Sequence, residues 1–233
     1  MTTWADELVA YASQQLTERE RDALYGRGVS DEQVAAFQIG YLDRRLPELA
    51  GADDFLVWCH QGAKLADMFV FPLTTVHGVV GGFQFRHVGR EQKGYTDYFL
   101  LQDELCLFGL VQAMPHVWAT ESVFLVEGVF DLLPLQRHVP AIIPTLTAKV
   151  TPPMLRLLRR LVRRVWLGYD MDVKGRKAAS EFVREHGREF DAQVVSYPKL
   201  FKVGTKELIK DPGDLWECWG DPKVRAFVLS VIE

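Results

Sequence analysis

Apolar residues recur at helical spacing through the first forty positions, and the period then shortens to that of strands. Leu8, Val9, Ala12 and Leu16 fall on one face of a helix predicted over Ala5–Leu16. Thr17 with Glu20 forms a capping box for a second helix running to about Tyr25, which Gly26 and Gly28 break. Ser30 caps a third helix over DEQVAAFQI, stopped by Gly40. Pro47 and Gly51 mark a loop, and 55–59 fits a short helix or a strand equally. From Met68, MFVFPLTT and VVGGFQFRHV flank His77-Gly78 and predict a β-hairpin. Gly81-Gly82 inside its second strand predicts a bulge or a close backbone approach.

In the second half the apolar runs are longer and end abruptly in acids. Phe124, Leu125 and Val126 read as a buried strand that exits through Glu127-Gly128 into a helix near Val129. A short strand follows at 141–144, then a helix opened by Thr151-Pro152-Pro153. Leu155, Leu158, Leu161 and Val162 line its inner face. Arg156, Arg159, Arg160, Arg163 and Arg164 form a basic stripe that either tracks a phosphate backbone or faces water. Val165, Trp166, Leu167 and Tyr169 predict a second buried strand ending in Asp170 and Asp172, with Gly175 opening a helix to His186 and a last strand at 192–197. The pattern predicts an α/β chain: a helical and hairpin-rich N-terminal part (1–117), a part with a parallel sheet flanked by helices (118–220) and a short C-terminal helix (221–233).

Composition adds limits rather than chemistry. Hydrophobic content of 48% is ample for a packed core. No apolar run approaches the length of a membrane-crossing helix, and the acidic N-terminus does not read as a secretory signal. Cys59, Cys106 and Cys218 are scattered and support neither a zinc ribbon nor a disulfide framework, which fits a reduced, cytoplasmic setting. The net charge of −4 hides an asymmetry, because residues 1–120 hold 9 Lys and Arg against 16 Asp and Glu, whereas 121–233 hold 18 against 15. Bulk charge therefore does not exclude a nucleic-acid partner, given a local basic groove.

In a parallel sheet the carboxyl ends of the strands line one crevice, so Glu127, Asp131, Asp170 and Asp172 are predicted to converge there. Like charges gathered in this way are tolerated when a cation neutralises them, and oxygen donors suit a hard divalent ion such as Mg²⁺. Taken singly, each acidic stretch equally fits solvated strand ends.

Together, the FLVEGVFD and YDMDVKGRKA stretches resemble the Toprim domain shared by bacterial primases, topoisomerases and some nucleases. VKGRKAA is similar to the bacterial primases in particular. So is ALYGRGVSDEQVAAFQIGYL, through Arg27, Gly28, Phe37, Ile39 and Gly40, as are FPLTTVHGVVGGFQFR and LFGLVQA. The resemblance is to the DnaG-type primase catalytic core and covers about Asp22 to Trp219, in a minimal, phage- or mobile-element-like version. It implies catalytic roles for Glu127, Asp170 and Asp172, and a metal site of Glu127, Asp131, Asp170, Asp172, Asp211 and Asp214 holding Mg²⁺ or Mn²⁺. Asp211 matches the family's Asp-Pro-Asp directly, and Asp214 is displaced by one residue. Arg86, Lys93, Tyr95, Lys174, Arg176 and Lys210 are implied to bind nucleic acid or nucleotide.

The activity so implied is synthesis of short RNA primers on single-stranded DNA from ribonucleoside triphosphates, with a replicative helicase or a separate zinc-module protein as possible partners and no membrane. Two departures stand out: Gln102-Asp103-Glu104 lies where the family carries a Lys, and no Cys/His cluster precedes Trp4. The missing Lys and the displaced Asp214 leave open a primase-like replisome subunit that binds DNA without turnover, and the same metal cluster leaves open a Toprim nuclease.

Overall fold

The computed structural model describes residues 3–43, 46–60, 65–87, 95–147, 149–198, 202 and 208–232. They divide into two compact units, one of residues 1–25 and 29–108, the other of 26–28 and 109–233.

The first unit begins with three helices, α1 (Trp4–Gln14), α2 (Glu18–Tyr25) and α3 (Asp31–Ala36). The capping signals act where the sequence put them. The Ser30 hydroxyl accepts from Gln33 N while Gln33 Oε1 accepts from Ser30 N, and Glu20 accepts from the Thr17 amide at 3.2 Å. The third helix is shorter than predicted. It ends at Ala36, Gln38 turns into the left-handed region at φ 52°, and Gly40 opens β1 (Gly40–Leu42) instead of stopping a helix. A side chain at Gly40 would meet Ala12 Cβ of α1 at 2.5 Å, so the glycine lets the strand lie directly on that helix.

The ambiguous 55–59 stretch is part of α4 (Asp53–His60). Strands β2 (Met68–Thr74), β3 (Val80–His87) and β4 (Tyr95–Phe99) complete an antiparallel sheet in the order β1-β2-β3-β4. Leu73 pairs with Gly82 and Thr74 with Val80, which leaves Gly81 as the bulged residue. Its carbonyl accepts from Leu100 and Leu101, and a Cβ there would lie 2.3 Å from Cys106 Sγ. Phe83, Phe85, Val70 and Phe55 pack with Leu8 and Ala12 in an aromatic-rich core.

The second unit runs α5 (Leu110–Thr120), β5 (Ser122–Val126), α6 (Val129–Gln136), β6 (Ile142–Pro144), α7 (Pro152–Leu161), β7 (Arg164–Leu167), α8 (Val173–His186), β8 (Asp191–Val194), α9 (Pro212–Trp219) and α10 (Asp221–Ile232). All pairings are parallel, in the order β6-β5-β7-β8. β5 is wholly buried, as the apolar run demanded. The chain leaves β5 towards β6 and returns to β7 on its other side. This reversal opens a crevice at the carboxyl ends of β5 and β7, the usual place for a ligand in such a sheet.

Two boundaries differ from the sequence reading. β7 stops at Leu167, and Gly168, whose amide still donates to Leu125 O, packs so closely under Phe124 that a Cβ would lie 2.2 Å from its ring. Asp170 and Asp172 thus lie in the turn after the strand and not in it. β8 ends at Val194, although Val195 N still donates to Leu167 O. On α7 the deeply buried positions are Met154 and Leu158. No helix among the described residues is long and apolar enough to cross a membrane.

Candidate metal centre

Three segments of the second unit meet at the crevice. Each is shaped by a helix N-terminus, where unpaired amides attract carboxylates. Asp131 stands three residues into α6 and accepts from Gly128 N at 2.8 Å. Asp172 caps α8 by accepting from Gly175 N at 2.8 Å. Asp211 caps α9 by accepting from Asp214 N at 2.7 Å through Oδ1. The turn between β7 and α8 is tied to the segment before α9 by the Met171 amide, which donates to Lys210 O at 2.7 Å. That bond aligns Asp170 with Asp211.

Asp131, Asp170 and Asp211 each offer a carboxylate oxygen within 4.8 Å of the others. Glu127 stands beside them, its Oε1 accepting from Asp170 N at 3.2 Å. Gly175 is the reason this contact exists. A Cβ there would lie 2.2 Å from Asp170 O and 2.5 Å from Glu127 Oε1, so only glycine lets the first turn of α8 pass over both.

Electrostatics mark the cluster as unsatisfied. Burial, helped by the charges of Asp211 and Glu127, pushes the Asp170 carboxyl up to about 7 against the pull of Lys210. Burial likewise raises Glu127, with Asp172 and Asp211 adding to the shift. It raises Asp211 too, helped by Asp214. At Lys210 burial acts against the charge, but Asp211 and Asp170 outweigh it and raise its pKa. Buried oxygen donors raised first by burial and further by one another's charge fit a hard divalent cation, which offsets that charge by sitting between them. Among the described residues, no nitrogen or sulfur ligand is part of the cluster.

The remaining sequence candidates are distributed as follows. Asp214 is buried and engaged: its Oδ1 pairs with Lys202 at 2.6 Å and its Oδ2 accepts from Lys210 N at 3.2 Å. Asp172 is exposed at the cap of α8. Met171, between the two acids, lies in the turn and is hydrogen-bonded across it. Lys174 and Arg176 are exposed on α8, and the Arg176 guanidinium donates to Met171 O. Arg86 and Tyr95 belong to the first unit, paired across β3 and β4, with the guanidinium 5.4 Å from the ring centroid. Lys93 lies outside the described residues. Of the basic stripe, Arg159 pairs with Glu189, Arg163 with Glu121 and Arg164 with Asp191.

Sequence reasoning missed two contributors. The spacer role of Gly168 has no sequence signal apart from its position after an apolar run. The partnership of Lys202 with Asp214 joins residues whose approach only the fold defines.

Comparison with known proteins agrees with this fold. Residues 124–206 match a family described as Toprim-like. The DNA primase of Thermotoga maritima is 25% identical over 231 residues, covering 88% of this chain and 38% of the relative. This chain therefore spans well under half of that relative's length. A solved DnaG catalytic core superposes with a TM-score of 0.75 at 22% identity, covering 97% of this chain and 78% of that one. A DnaG primase catalytic domain bound to single-stranded DNA superposes with a TM-score of 0.72 at 21% identity, covering 97% and 77%. The chain has the fold of the DnaG-type primase catalytic core, with a Toprim-like segment that carries Glu127, Asp131, Asp170 and Asp172.

Proposed function

We propose that this chain is a nucleotidyl-transfer core that makes short RNA primers on a single-stranded DNA template, as a DnaG-type primase. The observation that carries the reading is the carboxylate cluster of Asp131, Asp170 and Asp211 beside Glu127, set at the sheet's switch point within a Toprim-like segment. The solved relative bound to single-stranded DNA supports the template.

In this reading Asp131, Asp170 and Asp211 hold Mg²⁺ or Mn²⁺, with Asp172 adding negative charge at the rim. Such an ion, when bound, neutralises a triphosphate and lowers the pKa of an attacking hydroxyl. The chain's own residues do the rest. Glu127 fixes the Asp170 backbone by accepting from its amide, and stands beside the cluster as the carboxylate to accept a proton from the primer 3′-hydroxyl. Gly175 holds that pair in register. Asp214, neutralised by Lys202, fixes the backbone of Lys210. Lys210, Lys174 and Arg176 supply positive charge for phosphates, and Arg86, Lys93 and Tyr95 are assigned to nucleic acid or nucleotide. A zinc-module protein or a replicative helicase is the proposed source of start-site reading and stimulation.

Incubation with single-stranded DNA, labelled ribonucleoside triphosphates and Mg²⁺ or Mn²⁺ tests this. Short labelled oligoribonucleotides that depend on template and metal are expected. Their absence even with a zinc-module partner supplied, or nicking of plasmid DNA by metal without nucleotides, would overturn it.

A further inference from the structure

The carboxylate cluster already has a cation of its own. Lys210 Nζ lies 3.6 Å from Asp170 Oδ2 and 3.5 Å from Asp211 Oδ2, so one ammonium bridges two of the three grouped carboxylates. Its backbone is fixed at both ends, by the amide bond to Asp214 and the carbonyl bond from Met171. The side chain is not fixed in the same way. It is 48% exposed, its ion-pair distances exceed those of tight charge-assisted hydrogen bonds, and a lysine stem has four rotatable carbons. The direct ion-pair partner of Asp214 is Lys202, at 2.6 Å, and Asp214 acts on the Lys210 ammonium less than Asp211 and Asp170 do.

A divalent ion bound directly to Asp170 and Asp211 would share the two carboxylates that Lys210 faces through their Oδ2 atoms. Ammonium and metal would then stand a few ångströms apart in a half-buried site, where like charges repel strongly. The two cations are alternatives. We propose that Lys210 is a tethered counter-ion that holds the cluster when no divalent cation is bound and swings out when one enters, which frees its ammonium for a phosphate oxygen. The second half of this statement rests on the nucleotidyl-transfer reading above, and the first does not.

The test is a Mn²⁺ titration followed by electron paramagnetic resonance, without nucleotide or DNA, on the whole chain and on Lys210→Met and Lys210→Arg. Lys210→Met is expected to bind Mn²⁺ about tenfold tighter, and Lys210→Arg within about threefold of wild type. Unchanged or weaker binding by Lys210→Met overturns the proposal. Thermal melts separate displacement from mere proximity. Lys210→Met should melt below wild type in EDTA and level with it when Mn²⁺ is saturating, because the loaded protein no longer uses the ion pair. An equal deficit in both conditions overturns the swing. If Lys210→Met does not fold, Lys210→Gln carries the same expectations. With Mn²⁺ saturating, binding of a ribonucleoside triphosphate to the folded variant should weaken about fivefold or more. Undiminished binding overturns the release to phosphate while leaving the counter-ion result standing, whether or not the chain makes primers.

Discussion

Replacing Asp170 by Asn removes one negative charge from the centre of the carboxylate cluster and keeps the shape of the side chain. The carboxyl is only 20% exposed, and its pKa stands at about 7 against an ordinary 3.8. At 1.36 kcal/mol for each pKa unit, ionising it in the folded chain costs roughly 4 kcal/mol more than in the unfolded one. Asn still buries a polar group, so about half of that, ~2 kcal/mol, is expected to reappear as stability. For a chain of this size that corresponds to a rise in Tm of about 4–8 °C.

The sign depends on pH. A folded pKa above the unfolded value means that native wild type is favoured by protonation, and this advantage is lost as pH rises from about 4 through about 7. Melts in EDTA should therefore show Asp170→Asn above wild type at about pH 8, with the gap closing towards pH 4. Adding excess Mn²⁺ should reverse the order, because wild type gains binding energy that the variant lacks. A variant that melts below wild type in EDTA at every pH would refute the reasoning. So would an equal Mn²⁺ shift in both proteins.

Other consequences follow from individual contacts. Gly175→Ala forces a Cβ against Asp170 O and Glu127 Oε1. It should weaken Mn²⁺ binding about tenfold or more and cost roughly 1–3 kcal/mol in urea melts. Lys202→Ala leaves Asp214, whose side chain is 10% exposed, without its ion-pair partner, and should destabilise the fold by roughly 2–4 kcal/mol by the same assay. Arg156 and Arg160 are exposed on the outer face of α7, and changing both to Glu should weaken binding of single-stranded DNA and reduce its salt slope by about 2. Mn²⁺ affinity should not change in that variant. Isothermal titration should show Mn²⁺ affinity falling as pH drops below about 7, since protons then compete for the cluster.

Much of this was legible in the sequence because single residue types force local outcomes. Ser30 with Gln33 and Thr17 with Glu20 dictated helix starts, and the apolar run at 122–126 dictated a strand buried on both faces. Gly81 announced its bulge because few other residues serve there. The acids at strand ends identified the crevice, since a parallel sheet gathers strand termini on one edge. What stayed hidden depends on contacts between distant segments. The close approach of the Phe124 ring to Gly168 is one such contact. Which carboxylates group is decided by the bond from Met171 N to Lys210 O, which brings Asp211 to Asp170. Asp214 is drawn off by Lys202, and no spacing along the chain encodes that pairing. The early end of α3 reflects the packing of Gly40 on Ala12, a contact between residues of two separate elements.

The central claim is that Asp131, Asp170 and Asp211 jointly hold a divalent cation, and anomalous diffraction from a crystal soaked in Mn²⁺ addresses it without reference to activity. The account predicts an anomalous peak within about 2.6 Å of an oxygen from each of the three carboxylates, with Lys210 Nζ turned away. A peak beside Asp214 and Lys202, or no peak within reach of Asp170 under saturating Mn²⁺, would contradict it.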